Sequence, residues 1–206
     1  HQKTGHDDYL AVVARYVAEQ DKAPEDVELG VALCQFVESF KDLDSIDFSD
    51  EVETDFDDCL KRLKSGWPNE PLARIYQIDH DPSQLTLANA AQTWKAAQEW
   101  PRELRARLAV QLNKAYEQED EDKAGHYAVV AARLGSPDLV ADAIRFLASE
   151  GRHKQALELA GKSAPATSRE MAADRVFTLI KLDEGRAARR ELDRSIAAIG
   201  GLDLAV

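Results

Sequence analysis

Apolar residues recur along most of the chain at the three- and four-residue spacing of an α-helix. The stripe that a core-facing helix requires is formed by Leu139, Val140, Ala143, Ile144, Leu147 and Ala148. Alternating β-branched and polar residues, which would indicate strands, are hard to find. The pattern predicts an all-α fold of about 10 or 11 helices. Their predicted bounds are 7–20, 24–41, 49–64, 69–78, 83–99, 101–118, 122–134, 137–150, 152–163, 168–182 and 185–199.

Similar sequence features return at a nearly constant interval. Gly151-Arg152 and Gly185-Arg186 are 34 residues apart, and Trp67-Pro68 and Trp100-Pro101 are 33 apart. Repeats of this length cannot bury an apolar face alone, so they stack on one another. The short connections between the predicted helices favour antiparallel neighbours, and together these features predict an α-solenoid.

The clearest single repeat spans residues 137–165. Its central run, from Leu147 to Ala160, resembles the turn and second helix of a tetratricopeptide repeat (TPR). That family has a helix-ending glycine, two small residues and a closing proline. Here these positions hold Gly151, Ala156, Ala160 and Pro165. In the following unit Arg190 stands where the close-packing alanine is expected. The resemblance extends over about residues 101–199, and an unrelated helical bundle is the alternative fold.

The resemblance implies antiparallel helix pairs and binding of a protein or peptide in a groove lined by the first helix of each pair. It implies no chemistry. Helix position makes Asn113, Arg145 and Arg175 the candidate polar contacts in that groove. The chain would divide into an acidic helical segment at residues 1–66, which caps or extends the solenoid, and TPR-like repeats at residues 67–206.

Negative charge is confined to one half of the chain. The net charge is -12, and the first hundred residues hold 9 Lys+Arg against 21 Asp+Glu, whereas the remainder holds 17 of each. This excess argues against nucleic-acid and anionic-lipid partners and favours a basic one. The proportions of hydrophobic (44%) and charged (31%) residues are those of an ordinary globular protein, and no apolar run is long enough to span a membrane.

The densest acidic stretch, residues 42–58, has nine acids and no base. A calcium loop is one interpretation, but Ile46 would fall at a ligand position and Asp47 where the sharp turn needs glycine. The alternatives are a solvated loop leading into a helix and a docking patch for a basic partner. The patch would comprise Asp50, Glu51, Asp55, Asp57 and Asp58.

Arginines at four-residue spacing form a basic stripe on the last predicted helix: Arg186, Arg190 and Arg194, with Arg189 beside them. The favoured role is a polar outer face for a terminal helix, since solenoids need a solubilising cap. The alternative is weak head-to-tail self-association with the acidic half of a second molecule.

Chemistry-bearing residues give little indication of a reaction. Cys34 and Cys59 lack zinc-site spacing, and two buried thiols are favoured over a disulfide, which remains geometrically possible. The histidines, and the chain as a whole, show no catalytic, metal or cofactor motif.

The sequence therefore predicts a non-enzymatic adaptor or assembly scaffold without a cofactor. The alternatives are a bacterial-type secretion or assembly chaperone for a basic client, and an enzyme with dispersed catalytic residues. Because the chain begins with His1 rather than Met, we expect a preceding segment to have been removed. A cytoplasmic location is favoured, and a periplasmic or membrane-anchored soluble domain is the alternative.

Overall fold

A computed structural model describes residues 2–41, 48–135, 137–162 and 169–199. Within these ranges the chain contains only α-helices, short 3-10 turns and connecting segments, which confirms the all-α class. The α-helices are α1 Gln2–Lys22, α2 Val27–Lys41, α3 Ser49–Gly66, α4 Pro71–His80, α5 Leu87–Ala96, α6 Arg102–Tyr116, α7 Glu121–Leu134, α8 Pro137–Ser149, α9 His153–Lys162, α10 Arg169–Lys181 and α11 Gly185–Ile199. None of the described helices is both long and apolar enough to cross a membrane.

The largest departure from the predicted bounds concerns the helix expected at residues 83–99. The chain instead forms a 3-10 turn at Pro82–Gln84, then α5, then a second 3-10 turn at Ala97–Glu99. Helix α5 begins late because Thr86 and Asn89 form a capping box, in which the Thr86 amide donates to Asn89 Oδ1 at 2.9 Å. The turn before it is held by Asp81, whose carboxylate accepts from the Ser83 hydroxyl and amide.

The chain folds into two compact units, residues 1–84 and 85–206. The boundary predicted after residue 66 falls inside the first unit, between α3 and α4. In the first unit α2 packs against α1, α3 and α4. Its core is made of aromatic, aliphatic and cysteine side chains: Tyr9, Val31, Leu33, Cys34, Val37, Val52, Phe56, Cys59, Leu63, Ala73 and Tyr76.

In the second unit each helix from α5 to α8 packs against the next one along the chain, and α10 packs against α11. Helix α8 also packs against α10, and α9 against α11. Alanine supplies many of its core positions, which lets helices approach closely: Ala128, Ala132, Val140, Ala143, Ile144, Leu147, Ala156, Leu159, Ala160, Leu179 and Ala188.

The helix pairs α8–α9 and α10–α11 are related by a shift of 32 residues. Helices α8 and α10 begin at Pro137 and Arg169, and α9 and α11 begin at His153 and Gly185. The turns within the two pairs have the same backbone, with a left-handed residue at Gly151 (φ 69°) and at Asp183 (φ 56°).

Each of these turns is a Schellman motif. In the first, the amides of Gly151 and Arg152 donate to the carbonyls of Ala148 and Leu147. In the second, the amides of Asp183 and Glu184 donate to Ile180 and Leu179. Leu147 and Leu179, the matching acceptors, are both fully buried.

The 32-residue shift corrects the interval read from the glycines. Asp183, not Gly185, is the structural counterpart of Gly151. The close-packing alanine of the second pair is therefore Ala188, which matches Ala156 and is 3% exposed. Arg190 lies two residues further on and is exposed, so the expectation that it replaces this alanine was wrong.

Candidate partner-binding surfaces

Part of the predicted acidic patch holds the first unit together. Glu51 Oε2 lies 2.7 Å from His6 Nε2, and Asp55 accepts a 2.8 Å hydrogen bond from the Tyr9 hydroxyl. Both bonds fasten α1 to α3. The earlier acids Asp42, Asp44 and Asp47 lie outside the described residues.

Of the five predicted acids, Asp50, Asp57 and Asp58 are exposed, and Asp58 pairs with Lys61 at 2.9 Å. Glu51 and Asp55 are half-buried. The surface available to a basic partner is therefore narrower than the five residues predicted from the sequence. In the described part of the chain, no group of three or more His, Cys, Asp or Glu side chains is arranged to hold a metal ion.

The two cysteines meet in the core of the first unit. Both thiols are free and buried, as the sequence favoured, and they are joined by a hydrogen bond between α2 and α3. The bond to Cys59, together with burial, raises the pKa of the Cys34 thiol, and the same bond lowers the pKa of Cys59.

Beside the thiols, Glu38 accepts a 2.8 Å hydrogen bond from the Tyr76 hydroxyl, and its other oxygen lies 3.4 Å from His80 Nδ1. Burial, followed by the bond to Glu38, raises the pKa of Tyr76 above its usual range. Because its pKa is raised, the Tyr76 phenol stays neutral near pH 7 and is a poor general acid. The contacts of Glu38 on α2 with Tyr76 and His80 on α4 therefore serve to hold these two helices together.

A concavity lies in the second unit, between α7 and α9. It has a volume of about 300 Å³ and is lined by Asp122, Gly125, His126, Val129, Arg133, Arg152, Gln155, Glu158 and Leu159. The Arg152 guanidinium rests directly on Gly125 and forms an ion pair with Asp122. A glycine in the middle of a helix was the sequence signal for this close approach, and sequence reasoning did not use it.

The three predicted groove contacts do not form one surface. Asn113 is half-buried and donates from Nδ2 to the Ala124 carbonyl at 3.1 Å, and exposed Arg145 pairs with Asp142 at 3.2 Å. Arg175 is 0% exposed, and its Nη1 lies 3.1 Å from Glu191 Oε1. A fully buried side chain cannot contact a partner, so Arg175 was wrongly chosen; it joins α10 to α11.

The predicted arginine stripe on α11 divides in the same way. Arg186 and Arg190 are exposed, as is Arg189. Arg194 is half-buried, donates to the Ala160 carbonyl at 3.0 Å and lies 3.3 Å from Glu191 Oε2. Arg194 therefore fastens α11 to α9, and the exposed stripe is shorter than predicted.

Helices α10 and α11 also expose large apolar side chains, which a purely polar outer face would not. Phe177 and Ile180 on α10 are 56% and 57% exposed, and Leu192 and Ile196 on α11 are 43% and 48% exposed. We call these four side chains the α10–α11 surface. Phe177 and Ile180 are three residues apart on α10, and Leu192 and Ile196 are four apart on α11, so each pair shares a helix face, and exposed apolar faces are typical of interaction sites.

The 32-residue shift explains how two of these side chains come to be exposed. Ile180 corresponds to Ala148, which is half-buried. Leu192 corresponds to Ala160, which is buried and whose carbonyl accepts from Arg194 of α11. Positions that are half-buried or buried in α8–α9 are thus exposed in α10–α11.

Comparison with known proteins gives no relative: no family model, no curated protein and no solved structure matches the chain.

Proposed function

We propose that the chain is a non-enzymatic protein-interaction module, an adaptor or assembly scaffold, whose second unit stacks helix pairs as a TPR-like α-solenoid. Two features support the stacked arrangement. The pairs α8–α9 and α10–α11 share turn geometry and buried alanines at a 32-residue shift. Matching helices also pack together, α8 on α10 and α9 on α11, as a stack of repeats requires.

The main support for this function is that Ile180 and Leu192 are exposed, whereas the matching residues of the preceding pair are half-buried (Ala148) and buried (Ala160). Removing apolar surface of this kind from water is favourable by about 25 cal/mol per Å² of buried area. A partner that covers the α10–α11 surface would gain this free energy, which is the usual origin of binding at a repeat surface.

A fragment-display selection tests the proposal. Fragments of the proteome of the organism that makes the chain are selected against the immobilised full chain, and each enriched fragment is retested by isothermal titration calorimetry. We expect fragments that bind the native chain with a defined stoichiometry and do not bind a urea-unfolded sample. If the native chain enriches no fragment over an unrelated acidic helical protein, the chain is not an interaction module.

A further inference from the structure

We infer that the α10–α11 surface binds an amphipathic α-helix of a partner protein, in the place where a further helix pair would stack, and that acidic residues flank the apolar stripe of this helix. The inference rests on the proposed function and specifies its partner. It is drawn from the shape, the residue sizes and the charge of the surface.

The shape favours a helix because each helix of the preceding pair has a helix packed against it. Helix α10 packs against α8 and α11 against α9, and in the α8–α9 pair Ala148 is half-buried and Ala160 is buried. The Arg194 side chain of α11 donates to the Ala160 carbonyl and so ties α11 to the end of α9. The same backbone geometry in α10–α11 presents an equivalent seat.

Residue size indicates which of the two contacting helices has the large side chains. The covered positions in the preceding pair are the small residues Ala148 and Ala160, whereas the exposed ones are Ile180 and Leu192. Closely packed helices combine large residues on one with small residues on the other. The partner helix is therefore expected to place alanine or glycine against Ile180 and Leu192.

The charge around the surface is positive. Among the side chains that the structure describes from Lys181 onward, Lys181, Arg186, Arg189 and Arg190 are exposed, against exposed Asp183 in the turn and exposed Asp193 on α11. Arg189, Leu192 and Ile196 follow at three- and four-residue spacing, so the Arg189 guanidinium lies on the helix face that carries the apolar pair. Acidic residues beside the apolar stripe of the partner would be attracted to it.

A second copy of this chain satisfies only part of that description. Its acidic helix α3 offers exposed Asp50, Asp57 and Asp58, but the apolar side of α3 is buried in its own unit, with Val52, Phe56 and Leu63 all 5% exposed or less. Helix α3 supplies charge without the apolar stripe that the α10–α11 surface requires.

The test uses a displayed library of 20-residue helical peptides as its probe. The library carries Ala or Leu at the positions of one helix face and either Glu or Lys at the flanking positions. It is selected against four forms of the full chain: the wild type, Ile180→Glu/Leu192→Glu, Arg186→Glu/Arg189→Glu, and Leu87→Glu. Leu87 is the matched control because it is an exposed leucine of the same unit with the same 43% exposure as Leu192. Circular dichroism checks that every variant is folded.

On the wild type we expect Glu-flanked peptides to be enriched over Lys-flanked ones by at least about tenfold. We expect the Ile180→Glu/Leu192→Glu variant to lose this binding by about 30-fold or more, while Leu87→Glu retains it. The Arg186→Glu/Arg189→Glu variant should reverse the charge preference of the selected peptides.

Several outcomes would overturn the inference. Binding that Leu87→Glu weakens as much as Ile180→Glu/Leu192→Glu would place the site elsewhere. Binding to vesicles of phosphatidylserine and phosphatidylcholine that competes with the peptides would assign the surface to a membrane. If sedimentation shows concentration-dependent self-association, and the Ile180→Glu/Leu192→Glu variant abolishes it, the α10–α11 surface binds a second copy of the chain. If proteome fragments bind the chain but none depends on Ile180 and Leu192, the partner assignment fails while the proposed function stands.

Discussion

Arg175 and Glu191 form an ion pair in which both side chains are buried. Arg175 is 0% and Glu191 2% exposed, and the second oxygen of Glu191 faces Arg194. The carboxylate thus links α10 to α11, and Arg194 continues the link to the end of α9 through the Ala160 carbonyl. A charge removed from water in this way needs its partner, because an uncompensated buried charge is far more costly than a satisfied pair.

Removing one member of the pair should destabilise the chain strongly. We expect Glu191→Gln or Arg175→Met alone to lower the free energy of unfolding by about 3–5 kcal/mol. The double variant Arg175→Met/Glu191→Leu should recover much of that loss, since a well-packed apolar pair replaces the buried ions. Urea unfolding followed by circular dichroism measures all three.

The matched control is Arg145→Met/Asp142→Leu, which removes an exposed pair on α8 and should change the free energy of unfolding by less than about 1 kcal/mol. Single variants of Arg175 or Glu191 as mild as this control would show that the two side chains are hydrated in solution.

Arg175 and Glu191 also show which features of the fold could not be predicted from the sequence. Helix positions were predictable because apolar spacing and capping are local, and α11 spans 185–199 as the pattern indicated. Arg175 was misplaced because its partner Glu191 lies on another helix, and no spacing rule relates the two. The repeat interval was misread because Gly185 is the obvious candidate for a turn, whereas the left-handed residue is Asp183.

The left-handed turn residues give a second prediction, on backbone conformation alone. A Cβ at Gly151 would meet no atom within 4 Å, so Gly151→Ala adds only the cost of a left-handed L-residue, about 1–2 kcal/mol of destabilisation. Asp183→Gly removes such a cost and should stabilise the chain by up to about 1 kcal/mol.

Thermal unfolding of the two variants in the same buffer measures these changes. Asp183→Ala removes the side-chain interactions but keeps the left-handed strain of an L-residue, so it separates the two effects. We expect Asp183→Ala to destabilise the folded chain and Asp183→Gly to stabilise it. Opposite signs for Gly151→Ala and Asp183→Gly are required; a loss of stability in both would mean that the Asp183 side chain outweighs its backbone strain.

Two buried phenols predict a loss of stability at alkaline pH. Burial, with hydrogen bonds to Asp55 and Glu38, raises the pKa of Tyr9 and of Tyr76 above the value of about 10 in an unfolded chain. Below pH 10 both phenols are neutral in both states, and their contribution is fully present. Above pH 10 the unfolded chain releases the two protons and the folded chain retains them, so stability falls by about 1.4 kcal/mol per pH unit for each tyrosine.

Urea midpoints between pH 8 and pH 11.5 test this dependence. Tyr9→Phe and Tyr76→Phe should each be less stable than the wild type at pH 8, through loss of a hydrogen bond to a carboxylate, and should lose less stability on going to pH 11.5. Tyr16→Phe, at a half-buried tyrosine of the same unit, is the control. Equal alkaline slopes in all four proteins would show that other groups govern the transition.

The contact between Gly125 and Arg152 gives the last prediction. A methyl group at Gly125 would collide with the end of the Arg152 side chain, so Gly125→Ala must displace the guanidinium from α7 and from Asp122. The displaced ion pair is partly exposed and worth up to about 1 kcal/mol, whereas replacing a mid-helix glycine by alanine gains about 1 kcal/mol. We expect the two effects nearly to cancel in the wild type and the full gain to emerge when Arg152→Ala has already removed the side chain.

A double-mutant cycle on Gly125→Ala and Arg152→Ala measures the coupling, with Gly161→Ala, where the space is open, as the control. We expect a coupling free energy of about 1 kcal/mol between Gly125 and Arg152 and of about zero between Gly161 and Arg152. An equal gain from Gly125→Ala in both backgrounds would mean that Arg152 does not rest on α7 in solution, and the groove between α7 and α9 would then lack the wall that this side chain provides.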